Sequence, residues 1–276
     1  MPGRRDPIAV FDSGVGGLTV LHELLVSLPA EDYLYLGDTA RFPYGNRSAE
    51  ELERFVVEIG TRLLRAGAKL LVVACNSATA AGMPALERLA ATGIDIVGVV
   101  APESLAAVEA TRTGRVGLLA TPATVASGAY ERALHAADPS VTLFGVACPD
   151  LAGIIQGGFP VDEHVVDTVR RYCAPLREAE VDTVILGCTH YPLVRPMLQR
   201  TLGRGVTLVA SGAAIARRIE HTLTLRGLLN DRAGEGEYVF ECTGDPEAFR
   251  ALGSHFLQLP LGEVRQVELR PTEVPA

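Results

Sequence analysis

Short β-branched runs alternate with helix-like segments along almost the whole chain, a pattern that leads to a mainly parallel sheet flanked by helices. Candidate strands occupy 8–11, 33–37, 69–75, 95–100, 115–121, 141–148, 181–188, 206–210, 237–242 and 264–269. The helix after the second of these is the clearest. Ser48 and Glu51 have the spacing of a capping box, and Leu52, Phe55, Val56, Ile59 and Leu63 then fall on one face. The 276 residues suit one large α/β domain or two of ordinary size, and 48% apolar residues supply a substantial core. No low-complexity linker or charge run marks a boundary.

Several function classes drop out early. The formal net charge of −8 sets the field of the molecule against nucleic acid and anionic lipid, so neither is an expected partner. Of the 25 basic residues only Lys69 is a lysine, and it opens an apolar run that reads as a strand. There is no GxxxxGK[ST] string for a P-loop, and a pyridoxal phosphate aldehyde has one candidate lysine in an unsuitable place. No cofactor is expected. The five cysteines are widely spaced, with no CxxC and no HxxxH, which argues against a disulfide framework and a structural zinc site; no metal is expected. The apolar stretch near the start is too short for a signal peptide, and none approaches the roughly 20 residues of a membrane span. The expectation is a soluble, reduced, cytoplasmic protein.

A weak internal repeat organises the middle of the chain. One strand ends at Asp12-Ser13 and a later one at Cys75-Asn76; further on, one ends at Thr121-Pro122 and a later one at Cys188-Thr189. Two similar α/β halves would each deliver one cysteine, although any βαβ array resembles itself.

Ligands of open parallel sheets bind beyond the carboxyl ends of the strands, where loops run into helix N-termini. Cys75 and Cys188 sit at such ends. Asn76 and Ser77 after the first, and Thr189 with Pro192 after the second, suit the opening of a helix. Free backbone N–H groups and the helix dipole would lower the thiol pKa and make each cysteine a usable base. A cysteine ending an apolar strand also serves as a small core residue; the matching context in both halves favours chemistry. Cys148, Cys173 and Cys242 lack this setting and read as core or surface thiols.

Asp12-Ser13-Gly14-Val15-Gly16-Gly17 is a glycine-rich turn that brings backbone amides and Asp12 toward a small ligand, or simply a tight strand-to-helix turn. The loop from Gly37 to Gly45 offers Tyr44 and the bare amide of Gly45, while Asp38 suits a turn cap. Among six histidines only His190 adjoins a candidate thiol; His22, His135, His164, His221 and His255 read as surface groups.

The strings IAVFDSGVGGLTVL, YLGDTARFPYG, VVACNSATA and VILGCTHYPLV, in this order and spacing, resemble the cofactor-independent glutamate racemases. Weaker similarity, including SGAAIARRIEHTL and CTGDPEAF, covers most of the remainder. The resemblance implies two pseudo-symmetric α/β domains, 1–98 with 209–276 and 99–208, and an active site in the cleft between them. It implies a two-base racemisation supplying D-glutamate for peptidoglycan. Cys75 would take the α-proton of the D-substrate and Cys188 that of the L-substrate. Asp12 would assist Cys75, and His190 would partner Cys188. Asp12, Ser13, Tyr44, Gly45, Asn76, Ser77, Thr121, Thr189 and His190 match positions around the substrate. A homodimer is usual among such enzymes. The sequence departs from the family pattern at Ala101-Pro102-Glu103, at Ala210 and at Gln156, where many members carry a glutamate; the last puts in doubt an auxiliary acid beside Cys188.

Three other readings remain. A related racemase could act on aspartate, hydantoins or a broader amino acid set. A non-catalytic amino acid-binding protein on the same scaffold would need neither thiol. A thiol redox enzyme or cysteine hydrolase is disfavoured by the missing CxxC and by a single Cys-His adjacency.

Overall fold

The computed structural model describes residues 2–89, 93–158 and 162–271. Among these described residues ten strands form two sheets in which every pairing is parallel. The larger sheet contains β1 (Ile8–Asp12), β2 (Tyr33–Gly37), β3 (Leu70–Val73), β4 (Asp95–Gly98), β9 (Tyr238–Cys242) and β10 (Val264–Gln266), in the order β10-β9-β2-β1-β3-β4. The smaller contains β5 (Arg115–Ala120), β6 (Thr142–Ala147), β7 (Thr183–Gly187) and β8 (Thr207–Val209), in the order β6-β5-β7-β8. All ten expected strands are present. The fourth ends early because α4 (Val100–Ala110) begins there, with Pro102 in its first turn, where a missing N–H is tolerated.

The internal repeat is visible in the topology. The order β2-β1-β3-β4 in one sheet matches β6-β5-β7-β8 in the other. Within each set the chain steps to one side of the central strand and then crosses to the other, which opens a crevice at the carboxyl ends. Ser13 and Cys75 follow the neighbouring strands β1 and β3; Thr121 and Cys188 follow the neighbours β5 and β7.

Burial explains the apolar runs. All five residues of β1 are buried, and because successive side chains point to opposite faces, Ile8 and Val10 join one core cluster while Ala9 and Phe11 join another. Leu52, Phe55, Val56, Ile59 and Leu63 of α2 (Ala49–Arg65) cover the second face, and the Ser48–Glu51 capping box starts that helix. The first face is covered by α1 (Leu18–Ser27) and α10 (Ser211–Arg226), the latter packing against both α1 and α4.

Lys69 is fully enclosed at the amino end of β3. Its ammonium lies 2.5 Å from Glu31 Oε2 and also donates to the carbonyls of Arg4 and Leu228. Among the described residues no helix is long and apolar enough to cross a membrane.

Candidate functional site

The carboxyl ends of the two sheets share one cavity of about 300 Å³. That is the lower end of the roughly 300–1,000 Å³ range of small-molecule sites. Ser13, Tyr44, Gly45, Cys75, Asn76 and Ser77 line it from the side of the larger sheet; Thr121, Cys188, Thr189 and His190 line it from the smaller. Ten of the eleven site residues expected from the sequence therefore meet around one cavity. Among the described residues no lysine or arginine lines it, so anionic groups here meet amide and hydroxyl dipoles. Lys69, at the opposite end of β3, is committed to Glu31 and is no candidate for a Schiff base. Among the described residues no group of three His, Cys, Asp or Glu could hold a metal.

Asp12 is the exception. Its carboxylate is fully buried behind the wall, accepting from Gly14 N at 3.1 Å and from Thr189 Oγ1 at 3.3 Å. It thereby joins the end of β1 to the loop after β7. Burial raises its pKa, against the backbone donors that lower it. The same junction explains a glycine: a Cβ on Gly16 would lie 2.3 Å from Thr189 Oγ1 and 2.5 Å from His190 Nδ1. Gly45 is confined similarly, since a Cβ added there would lie 2.7 Å from the Thr121 Cβ, and Ser77 Oγ meets Thr121 Oγ1 at 2.9 Å.

The thiols contradict one expectation. Backbone donors do reach them, from Ala78 and Ser13 to Cys75 and from His190 to Cys188, but burial outweighs these donors. Cys75 is pushed up to about 12, first by desolvation and then by the charge of Asp12. Cys188 is also raised, by desolvation and then by its proximity to Cys75 and Asp12. The dipole effect read from the sequence is real but smaller than the loss of solvent.

His190 is buried, and desolvation lowers its pKa to about 3, so the ring is neutral at ordinary pH. Nε2 lies 2.8 Å from Gln156 Oε1, while Nδ1 lies 3.8 Å from Cys188 Sγ. Gln156 thus supplies the contact to histidine without a charge. Phe42 and Phe256 pack on the ring at centroid distances of 5.5 and 5.3 Å.

Tyr44 donates to Asp38, whose Oδ2 also accepts from Arg41 Nε at 2.6 Å, and Arg41 continues to Glu58 at 2.5 Å. Asp38 is therefore an anchor for the loop, and its side chain makes no capping hydrogen bond. Asn76 donates through Nδ2 to Tyr130 at 2.7 Å and to Glu103 at 3.1 Å. Glu103 is wholly buried, and desolvation raises its pKa to about 7 against three donors: Ser211, Tyr130 and Asn76.

Sequence reasoning missed the wall formed by Pro149, Asp150 and α7 (Leu151–Gln156), which lines the cavity through Ala152, Gly153 and Ile154. The signal was available: Pro149-Asp150 follows β6 just as Cys188 follows β7. Cys148, Cys173 and Cys242 are all buried away from this wall, as core thiols.

Comparison with known proteins gives the same direction. The Asp/Glu/hydantoin racemase family matches residues 18–219. A glutamate racemase of Geobacter metallireducens is 42% identical over 262 residues, 95% of this chain and 96% of that protein. The crystal structure of glutamate racemase isoform RacE1 from Bacillus anthracis superposes with a TM-score of 0.92 at 37% identity, covering 98% of this chain and all of the other. The glutamate racemase of Francisella tularensis in complex with D-glutamate gives 0.89 at 31% identity, covering 96% and 98%.

Proposed function

Because the chain belongs to the Asp/Glu/hydantoin racemase family, we propose that it interconverts L- and D-glutamate by passing the α-proton between two thiols. The observation that carries this is the pair Cys75 and Cys188, delivered by β3 and β7 of different sheets to one cavity that no lysine or arginine lines among the described residues.

In the D-to-L direction the Cys75 thiolate removes the α-proton, leaving a carbanion. The Cys188 thiol then protonates the opposite face, giving L-glutamate and a Cys188 thiolate. The proton count is unchanged; the next turnover in the same direction needs the charge returned to Cys75. Mutual repulsion keeps the pair singly ionised. Both thiols are raised by burial, so the substrate ammonium, a positive charge entering beside them, favours ionisation as it binds. Asp12 assists on the Cys75 side and His190 partners Cys188. Ser13, Tyr44, Gly45, Asn76, Ser77, Thr121 and Thr189 hold the carboxylates and ammonium. Proton transfer by positioned groups supplies about 10²–10⁴-fold, and preorganised dipoles around the developing carbanion supply most of the remainder.

The same proposal takes 1–98 with 209–276 as one unit and 99–208 as the other, a division supported by the membership of the two sheets. It places the protein in the cytoplasm as a homodimer that needs no cofactor, making D-glutamate for peptidoglycan. Circular dichroism of L-glutamate incubated with the protein tests the activity: the signal should decay to zero, and the product formed in D₂O should carry an α-deuteron. Parallel incubations with L-aspartate and a chiral hydantoin check the substrate, and a static glutamate signal with preserved binding would leave a binding protein.

A further inference from the structure

One buried acceptor on the cavity wall has no partner, and the reason lies outside the cavity. Both amide hydrogens of Asn76 are taken, by Tyr130 at 2.7 Å and by Glu103 at 3.1 Å. Its Oδ1 is buried without a hydrogen bond. Among the buried unpartnered side-chain atoms of the described residues, it alone belongs to a residue lining the cavity. An orphaned buried acceptor costs free energy unless a ligand completes it.

The amide cannot choose the other orientation. Glu103, on α4, accepts through Oε2 from Asn76 and Tyr130 and through Oε1 from Ser211, the first residue of α10. Tyr130, on α6 (Ala129–Ala137), spends its proton on Glu103 and so has only lone pairs to offer Asn76. A flipped Asn76 would set its oxygen against a carboxylate and a phenol oxygen that both need donors. All four side chains are buried, which makes this ordering strict while Glu103 is ionised, above about pH 7.

We infer that Glu103 is a positioning residue: through Tyr130 and directly, it locks the Asn76 amide with its oxygen free, so that the site accepts a hydrogen bond from an ammonium and turns away a ligand that presents a carbonyl there. The inference rests on the proposed glutamate chemistry for the identity of the ammonium donor. It adds a residue that touches neither substrate nor thiol, and a reason for preferring the amino acid over its oxo acid.

The test compares L-glutamate with 2-oxoglutarate, a dicarboxylate of the same length with a carbonyl in place of the ammonium. In E103A the amide is free to turn. KM for L-glutamate should rise by about ten- to hundredfold, the range for one hydrogen bond to a charged group. Inhibition by 2-oxoglutarate should strengthen, and kcat should change less than KM. E103Q, whose amide oxygen can take the place of Oε2 while its NH₂ donates to Ser211, should recover most of the loss. A general loss of structure would weaken both ligands together. A folded E103A with an unchanged glutamate-to-oxoglutarate ratio would overturn the assignment, as would E103Q behaving like E103A. Should E103A not fold, Y130F removes the nearer acceptor of Nδ2 and should move the ratio in the same direction by a smaller factor; an unmoved ratio there also overturns it. If the wild-type protein binds glutamate without racemising it, the functional proposal fails on its own, and the same ratio is read by calorimetric titration.

Discussion

His190 Nε2 lies 2.8 Å from Gln156 Oε1, and the opposite ring nitrogen faces Cys188 Sγ at 3.8 Å. With its Nε2 proton given to the amide, the neutral imidazole offers Nδ1 as an acceptor to the thiol. The contact orients histidine without charging it. In Q156E a carboxylate would occupy the same place and pull the His190 pKa upward from about 3. The imidazolium would then favour a Cys188 thiolate. The expected result is a pH profile of kcat/KM for L-glutamate whose rising limb moves down by about one unit, with a smaller change for D-glutamate. Profiles that coincide with wild type in both directions would remove His190 from the Cys188 side.

The same histidine makes the fold sensitive to acid. Its folded pKa of about 3 lies below the ordinary histidine value of 6.5, so between these values the unfolded chain binds a proton that the folded one does not. Stability from this group is complete above pH 6.5 and declines as the pH falls toward 3. Glu103 acts with the opposite sign between 4.5 and about 7, because its folded form holds the extra proton. The two offset each other above pH 4.5; below it the buried Asp12, whose pKa is raised, also opposes the His190 effect. Melting temperatures of wild type and H190Q should therefore diverge less at pH 4 than at pH 7, as acidification costs only the wild type this contribution.

Replacing either thiol should abolish racemisation while leaving the fold. C75A and C188A each lose one of the two proton carriers, and a loss of at least about 10³-fold is expected, within the span of general acid–base contributions. Near-wild-type far-ultraviolet circular dichroism would accompany it. Full activity in either variant contradicts the two-thiol proposal.

Gly16 is held by the approach of the two strand-end loops. In G16A the new methyl would meet Thr189 Oγ1 and His190 Nδ1 at 2.3 and 2.5 Å, and Thr189 cannot withdraw without opening its junction with Asp12. Overpacking of this kind costs about 1–3 kcal/mol, and kcat/KM should fall because the displaced atoms line the cavity. G205A, with nothing within 4 Å of the added carbon, is the control. Urea melts and steady-state kinetics on the pair separate the local effect from a general one; equal behaviour of the two variants would count against the confinement.

What could be read from the chain alone was local or periodic. The strands announced themselves by β-branched runs, α2 by Ser48 and Glu51, and the cavity wall by residues that follow strand ends. Topology then required Cys75 and Cys188 only to be at the ends of β3 and β7. Two features needed the third dimension. The direction of the thiol shift turned on how completely burial would remove water, which the adjoining helix starts do not reveal. Glu103 reads as one acidic residue near a helix start, and its meaning depends on Tyr130 and Ser211, 27 and 108 positions further along.

Lys69, the only lysine, is sealed against Glu31 and two carbonyls. Every cationic side chain at the surface is thus a guanidinium or an imidazole. Reagents that acylate or cross-link lysine amines find no side-chain target on the folded protein, and lysine acetylation cannot alter its surface charge. Accessibility of that one amine becomes a chemical reporter of unfolding: its modification requires the amino end of β3 to come apart.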